Sequence, residues 1–412
     1  METRCTPEFL GTPEGREADA ILRSCVHCGF CNATCPTYQL LGDELDGPRG
    51  RIYLMKQVLE GAVVTEKTQL HLDRCLTCRN CETTCPSGVQ YGRLVDIGRG
   101  IVEARVGRTR ADAATRWGLR RALLAKPLFA GALALGRMVK GMLPRELGNR
   151  IPAARAAGPW PAPRHARRLL LVEGCVQPAI APNIDAAAAR VFDRIGISAL
   201  RVSGAGCCGA LSHHLTADDE ARQIVRGNID AWWPHIERGA EAIVMTASGC
   251  GVMVKDYGHF MASDAAYAAK AAKIGELARD PIEIVAGEWK AIAPTLAMDR
   301  GATRIAFHPP CTLQHGMKIR GLVEEILLAL GHSLLPVPDA HLCCGSAGTY
   351  SILQPDLAGK LRDLKLQALL SSRPEVIATA NIGCATHLGS ATAIPILHWI
   401  ELLDQRMMRR VH

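Results

Sequence analysis

Cys25, Cys28, Cys31 and Cys35 follow a C-x2-C-x2-C-x3-C spacing and are succeeded by Pro36; Cys75, Cys78, Cys81 and Cys85, succeeded by Pro86, repeat it without deviation. A cubane 4Fe–4S cluster needs four thiolates. Three on one tight loop reach three irons, while the fourth, beyond the next turn, points away and ligates the other cube. The spacing therefore assigns Cys25, Cys28, Cys31 and Cys85 to a first 4Fe–4S cluster, and Cys75, Cys78, Cys81 and Cys35 to a second. Structural zinc would need four ligands per site and no following proline.

A second set of cysteines occupies the other half of the chain. Cys175, Cys207 and Cys208 recur 136 residues on as Cys311, Cys343 and Cys344; Gly209 and Gly345 follow at the same shift, and Cys250 and Cys384 complete each set. Four thiols per repeat could hold a further iron–sulfur cluster or another metal; the bland alternative is buried thiols packing as small hydrophobes. His213, His214, His308 and His315 lie near these cysteines and read as hydrogen-bonded loop residues rather than ligands.

These side chains need elements to place them. In the second half, short apolar runs (RLLLVEGC and RIAFHPPC) precede helix-like segments (IDAAAARVFDRIG and RGLVEEILLALG), then second strands leading to Cys-Cys-Gly, and then a helix and a third strand. Strands alternating with helices predict parallel α/β layers. The cysteines fall just past strand carboxyl ends, where open α/β sheets gather ligands. In the first half, Ile52, Met55 and Leu59 sit at helical spacing between the two ferredoxin motifs, predicting a helical domain rather than a compact β-hairpin one. Gly47-Pro48-Arg49-Gly50-Arg51 reads as a loop whose arginines meet solvent or a partner. Tyr38, Tyr53 and Tyr91 read as core or cluster-shielding residues.

The fold class is thus multidomain: an N-terminal α-helical double 4Fe–4S ferredoxin domain (1–100), a basic helical and Pro-rich connector (101–168), and two pseudo-symmetric α/β Cys-Cys-Gly repeats (169–300 and 301–412). In the connector Lys and Arg exceed Asp and Glu by twelve, against eight for the whole chain. Its stretch 115–143 predicts helices with an apolar and a basic face, suited to an anionic membrane surface.

Composition narrows the functions. Among 412 residues, 48% are apolar, which excludes a disordered chain, and 4% are aromatic, too few for the stacking platforms of single-stranded nucleic-acid binders. No helix-turn-helix signature points to a DNA-binding sensor, so nucleic acid is not an expected partner. Seventeen cysteines without an apolar signal core predict a reduced setting, not secretion, and metal rather than disulfides. No uncharged apolar run approaches ~18 residues, so no spanning helix is expected. No Gly-rich phosphate loop follows a strand, so a flavin or nicotinamide must be bound elsewhere.

Two ferredoxin motifs joined to two Cys-Cys-Gly repeats resemble the heterodisulfide-reductase-like iron–sulfur proteins. The segments CVHCGFCNATCPTYQLLGDELDGPRGRIYL, DRCLTCRNCETTCPSGV, NIDAWWP, TASGCG, CTLQH, HLCCGSAGTY and TANIGCATHL are similar to the iron–sulfur subunits of bacterial glycolate oxidases. The resemblance implies an oxidoreductase acting on CH–OH donors with a non-nicotinamide acceptor. Flavin-containing partner subunits, which alone would carry FAD, would oxidise glycolate, and D-lactate as a further candidate, and this chain would pass electrons to a quinone or membrane acceptor. It also implies a place on the cytoplasmic side of the inner membrane, held peripherally. Other readings stay open: a disulfide-reductase-type catalytic subunit, or the iron–sulfur subunit of a glycerol-3-phosphate dehydrogenase. In the disulfide-reducing relatives each repeat ends in Cys-x2-Cys. Here Met253 and His387 stand at that last position. An imidazole can ligate iron and a thioether does so poorly. The further metal site is therefore expected first at Cys311, Cys343, Cys344, Cys384 and His387, and less at Cys175, Cys207, Cys208 and Cys250.

Overall fold

The computed structural model describes residues 1–144, 148, 151–296 and 302–408. Arg145, Glu146 and Arg150 of the connector, and the 300/301 domain boundary, lie outside the described residues. The chain forms two compact units: Met1–Trp117 with His341–Lys365, and Gly118–Ala340 with Leu366–His412.

The first unit is helical. Its main helices are α1 (Pro13–Ser24), α2 (Pro48–Leu59), α3 (Glu66–Asp73) and α4 (Tyr91–Val106). α1 starts where Pro13 takes a first-turn position that needs no N–H and the Thr12 side chain accepts from the Gly15 N–H. It buries Ala18, Ile21 and Leu22 along one stripe and stops at Cys25. α2 buries Ile52, Met55 and Leu59, the stripe legible in the sequence, each contributing about 1.5–3 kcal/mol. It touches α4 through Gly98, where an added Cβ would come within 2.5 Å of Met55 Sδ. Segment His341–Lys365 belongs to this unit: Asn80 Nδ2 donates to His341 O at 3.3 Å and the Tyr350 hydroxyl to Arg74 O at 3.2 Å. The compact units thus differ from the sequence domains, which kept 341–365 with the last repeat.

The second unit holds two four-stranded parallel sheets. The first comprises β1 (Arg167–Leu171), β2 (Ile197–Leu200), β3 (Ile243–Val244) and β4 (Ala278–Arg279), ordered β2-β1-β3-β4. The second comprises β5 (Arg304–His308), β6 (Ser333–Leu335), β7 (Val376–Thr379) and β8 (Ile396–His398), ordered β6-β5-β7-β8. The shared order is the duplication seen as architecture. Each sheet gains a fourth strand that the sequence reading lacked, because two or three residues carry too little alternation to register.

Helices α5 (Arg110–Leu124) and α6 (Lys126–Val139) occupy the connector, and α7 (Pro182–Arg194), α8 (Asp218–Glu237), α9 (Ser248–Lys255), α10 (Leu322–Ala329), α11 (Ile382–Gly389) and α12 (Trp399–Met408) accompany the sheets. One core joins both repeats, with Leu169 and Phe192 from the first and Phe307 and Trp399 from the second. Ion pairs bolt α7 to α12, Arg190 and Arg194 reaching Asp404 at 2.7 and 2.9 Å. The Pro-rich stretch 151–166 has no regular secondary structure, yet Trp160 Nε1 donates to Ala199 O at 3.2 Å and Arg164 pairs with Asp193. It is a strap on the first repeat.

Candidate functional site: two four-thiol groups and the Cys-Cys-Gly loops

Each ferredoxin motif begins where a helix ends, α1 at Cys25 and α3 just before Cys75. The loops then turn alike. His27 and Thr77 adopt left-handed backbone (φ 59° and 52°), and each N–H points back at the sulfur two residues earlier, at 3.4 Å in both loops. Such conformations cost non-glycine residues about 1–3 kcal/mol and persist where a site requires them. N–H groups aimed at sulfur suit a thiolate carrying negative charge. Pro36 opens the helix after Cys35 and sends the chain away.

The structure brings the eight thiols into two groups. Cys25, Cys28, Cys31 and Cys85 line one cavity, which Cys81 also borders. Burial pushes the Cys31 thiol up to about 11, with Cys25, Cys85 and Cys28 adding repulsion. Cys81 is raised well above its usual range by burial and then by Cys78, Cys75 and Cys35. Cys85 therefore keeps company with the first motif and Cys35 with the second. Four crowded thiols favour their protonated forms, and a metal that binds them must displace those protons. The donor set, the inward N–H groups and the cavity fit a 4Fe–4S cluster at each group. The two differ in exposure: Cys35, Cys75, Cys78 and Cys81 are all buried, whereas Cys28 is exposed beside exposed Val26 and Phe30.

At the second group the sequence reading left out the roles of Arg51 and Arg99, whereas Tyr91 takes the core or shielding place expected of it. Arg51, expected in a loop facing solvent or a partner, lies inside α2 and is only 1% exposed. Tyr91, read as core or shield, is buried with its hydroxyl 3.7 Å from Cys75 Sγ. Arg99 clamps the same loop, donating to Cys75 O at 2.6 Å and Thr77 Oγ1 at 3.1 Å.

In the first Cys-Cys-Gly repeat, Cys175 follows β1, Cys207 and Cys208 follow β2, and Cys250 opens α9 after β3. Their thiols form a chain of hydrogen-bonding contacts from Cys175 to Cys207, Cys208 and Cys250. Cys207 sits well below its usual range because Cys175 and Cys208 donate to it, and the Gly209 N–H points at its sulfur at 3.4 Å. Gly209 is left-handed (φ 93°) and packs on Val225, where an added Cβ would come within 3.2 Å. Asn228 buttresses this loop: it accepts from Gly206 N at 2.9 Å and donates to Cys207 O at 2.7 Å and the Tyr257 hydroxyl at 3.1 Å. Tyr257 donates to Cys208 O at 2.8 Å. These two supports were missed, although Asn228 lies in the NIDAWWP segment. Met253 is buried in the same core.

In the second repeat, the Gly345 N–H points at Cys343 Sγ at 3.4 Å with the same left-handed glycine (φ 87°). Cys343 and Cys344 belong to the first compact unit; Cys311, Cys384 and His387 belong to the second. His387 lies in the last turn of α11. The four cysteines of the first repeat fall in a single unit. His213 is paired with Asp218 at 2.7 Å, while His308 is the buried end of β5 rather than a loop residue.

Comparison with known proteins places these features. Residues 21–89 match a 4Fe–4S dicluster domain, and residues 169–255 and 305–389 each match a cysteine-rich domain. The chain is 55% identical over 99% of both lengths to the glycolate oxidase iron–sulfur subunit of Escherichia coli (strain K12). It is 27% identical, over 93% of each, to a probable glycolate oxidase iron–sulfur subunit of Bacillus subtilis (strain 168). It is also 23% identical to a lactate utilization protein A from an Exiguobacterium strain, over 56% of this chain and 94% of the relative. With both ferredoxin motifs, both cysteine-rich repeats and near full-length identity, the chain belongs to the family of glycolate oxidase iron–sulfur subunits.

Proposed function

We propose that this chain is the electron-carrying subunit of a complex in which flavin-containing partner subunits oxidise glycolate to glyoxylate. The observation that carries the reading is the gathering of eight ferredoxin cysteines into two four-thiol groups. Cys25, Cys28, Cys31 and Cys85 hold one 4Fe–4S cluster and Cys75, Cys78, Cys81 and Cys35 the other. One-electron transfer is the chemistry such clusters supply when bound. The chain's own residues hold the ligands, aim N–H groups at sulfur and exclude water from the second group. Exposed Val26 and Phe30 beside Cys28 offer a partner an apolar edge to dock against. Buried Tyr350, whose hydroxyl is raised by burial and by Cys75, and also feels Cys343, puts the Cys343–Cys344 loop beside the second group. A further iron–sulfur or metal site falls within this reading, at Cys311, Cys343, Cys344, Cys384 and His387 or at Cys175, Cys207, Cys208 and Cys250.

The acceptor in this reading is a quinone, reached by peripheral attachment to the cytoplasmic face of the inner membrane. Among the described residues no single helix is long and apolar enough to cross a bilayer. What supports attachment is α6 and the turn after it. Leu128, Leu135, Met138 and Met142 are exposed along one face, Met138 and Met142 at 82% and 86%. No acidic residue occurs from 113 to 144. An acid-free apolar face flanked by cations is the pattern of a helix lying in an anionic interface.

Anaerobic purification of the complex tests the reading. Flavin-bearing subunits that co-purify and reduce quinone with glycolate are the expected result. A chain that purifies without flavin and turns over disulfides would replace it with the disulfide-reductase alternative.

A further inference from the structure

Arg51 is a permanent cation in the interior of the ferredoxin unit, and burying one costs several kcal/mol unless nearby groups compensate. Its Nε donates to His71 O at 2.7 Å, both terminal nitrogens reach Thr37 Oγ1 at 3.3 Å, and Nη2 reaches Asp46 Oδ1 at 3.4 Å. Asp46 does not account for it alone. The same carboxylate, fully buried, also takes Arg74 at 2.8 Å and His71 at 3.1 Å. Two guanidinium groups share one carboxylate, which leaves a surplus of positive charge.

That surplus faces the second thiol group. Thr37, held by Arg51, has its Oγ1 2.7 Å from Asp46 O and 3.3 Å from Cys35 Sγ, so its one hydroxyl proton is within reach of both the carbonyl and the sulfur. Burial works to strip the Arg51 proton, and the acidic groups around it, Tyr91, Cys75, Cys35 and Asp46, outweigh that effect and raise the guanidinium above its usual range. Two of those four are cysteines that the proposed function assigns to one cluster. Arg99 clamps the Cys75 loop too, but it is partly exposed and water screens its charge. Beside the first group, Arg49 is half-exposed and paired with Glu44 at 2.6 Å.

We propose that Arg51 is a positioning residue of the second cluster, acting through Thr37 and its own buried charge to raise the reduction potential of the group held by Cys75, Cys78, Cys81 and Cys35. Reduction adds one electron, and so one negative charge, to that buried site. The electron comes from the flavin partner in turnover and from dithionite in a titration. A cation held nearby at low dielectric stabilises the reduced form more than the oxidised one. The inference rests on the two-cluster reading, and the experiment separates the two.

The test is an EPR-monitored redox titration of the anaerobically purified complex, with iron counted in every sample. Two reducible signals and two clusters' worth of iron in the wild type support the reading itself. Arg51→Gln is expected to move one midpoint to lower potential, cutting that cluster's reduced fraction at fixed ambient potential on the order of tenfold, and to leave the other signal in place. Arg51→Lys, which keeps the charge, is expected to restore most of the shift. Thr37→Val preserves shape and keeps Arg51, so it serves where Arg51→Gln loses iron. It is expected to shift the same signal in the same direction by less. Full iron with both midpoints unmoved in Arg51→Gln, or in Thr37→Val where Arg51→Gln does not load, overturns the proposal.

Discussion

Thr34 and Thr84 occupy the same place in the two ferredoxin motifs, and their hydroxyl oxygens lie 3.1 Å apart. Equivalent residues meet where two equivalent loops pack face to face. Just beyond them the chain delivers Cys35 towards the second motif's thiols and Cys85 towards the first's. The Thr–Thr contact is therefore the local sign of an exchange of fourth cysteines between two loops.

That exchange makes a directional prediction. Cys35→Ser should damage the cluster whose other ligands are Cys75, Cys78 and Cys81, and Cys85→Ser the one held by Cys25, Cys28 and Cys31. Each variant should lose about half the ferredoxin iron. EPR spectra of the two variants should be complementary; loss of the signal belonging to the mutated residue's own motif would show uncrossed ligation.

Asn228 spans three polar groups inside the first Cys-Cys-Gly loop. Asn228→Ala should cost about 1–3 kcal/mol through the unsatisfied Cys207 carbonyl. Tyr257→Phe should cost less, since it leaves the stacking on Trp232 in place. Thermal unfolding checks both, and equal stability of Asn228→Ala and wild type would remove Asn228 as the support of that loop.

Two buried titratable groups set a pH window for the second unit. Asp185 Oδ1 accepts from Gln177 and Thr246 at 2.7 and 2.6 Å, and burial raises its carboxyl to about 7. A raised folded value means the contribution is full below the unfolded value near 4 and fades as pH rises through about 7. His398 runs the other way. Its Nε2 donates to Thr246 O at 2.9 Å, Nδ1 accepts from Ile400 N at 3.2 Å, and burial lowers it to about 4. Its contribution is full above about 6.5 and fades as pH falls through about 4. Asp185→Asn should remove a fall in stability of about 1 kcal/mol per pH unit between pH 4 and 7 and leave the slope above pH 8 unchanged. Chemical denaturation across pH 4–9 reads this directly.

The face of α6 predicts vesicle binding. The complex should bind vesicles containing anionic lipid at low salt and release them at high salt. Leu135→Asp with Met138→Asp should weaken binding roughly tenfold or more. Co-sedimentation with neutral and anionic vesicles measures it, and binding unchanged by the double substitution would move attachment elsewhere.

Motif spacing made the ferredoxin thiols legible, because iron–sulfur geometry leaves little freedom in the loop. The repeat of Cys175, Cys207 and Cys208 at Cys311, Cys343 and Cys344 made the paired α/β repeats legible, and the shared strand order bears out that duplication. Arg51 was opaque because a charged side chain is ordinarily exposed, and only tertiary packing puts three polar partners, His71 O, Thr37 and Asp46, around it. Segment His341–Lys365 was opaque for a related reason: duplication keeps Cys343 and Cys344 with their repeat, whereas Asn80 and Arg74 hold that segment to the helical unit. Strands β4 and β8 are recognised by their neighbours' hydrogen bonds, not by their own two or three residues.

Electrons taken from glycolate by the partner subunits are expected to reside on this chain during turnover. Freeze-quenching the anaerobic complex within milliseconds of mixing with glycolate, followed by low-temperature EPR, tests this most directly. Reduced 4Fe–4S signals should form as fast as turnover and decay on adding quinone, and in Cys35→Ser the signal of the second cluster should be lost together with quinone reduction while the partner flavin is still reduced. Flavin and quinone both reduced at full rate while the iron–sulfur signals stay silent would contradict it.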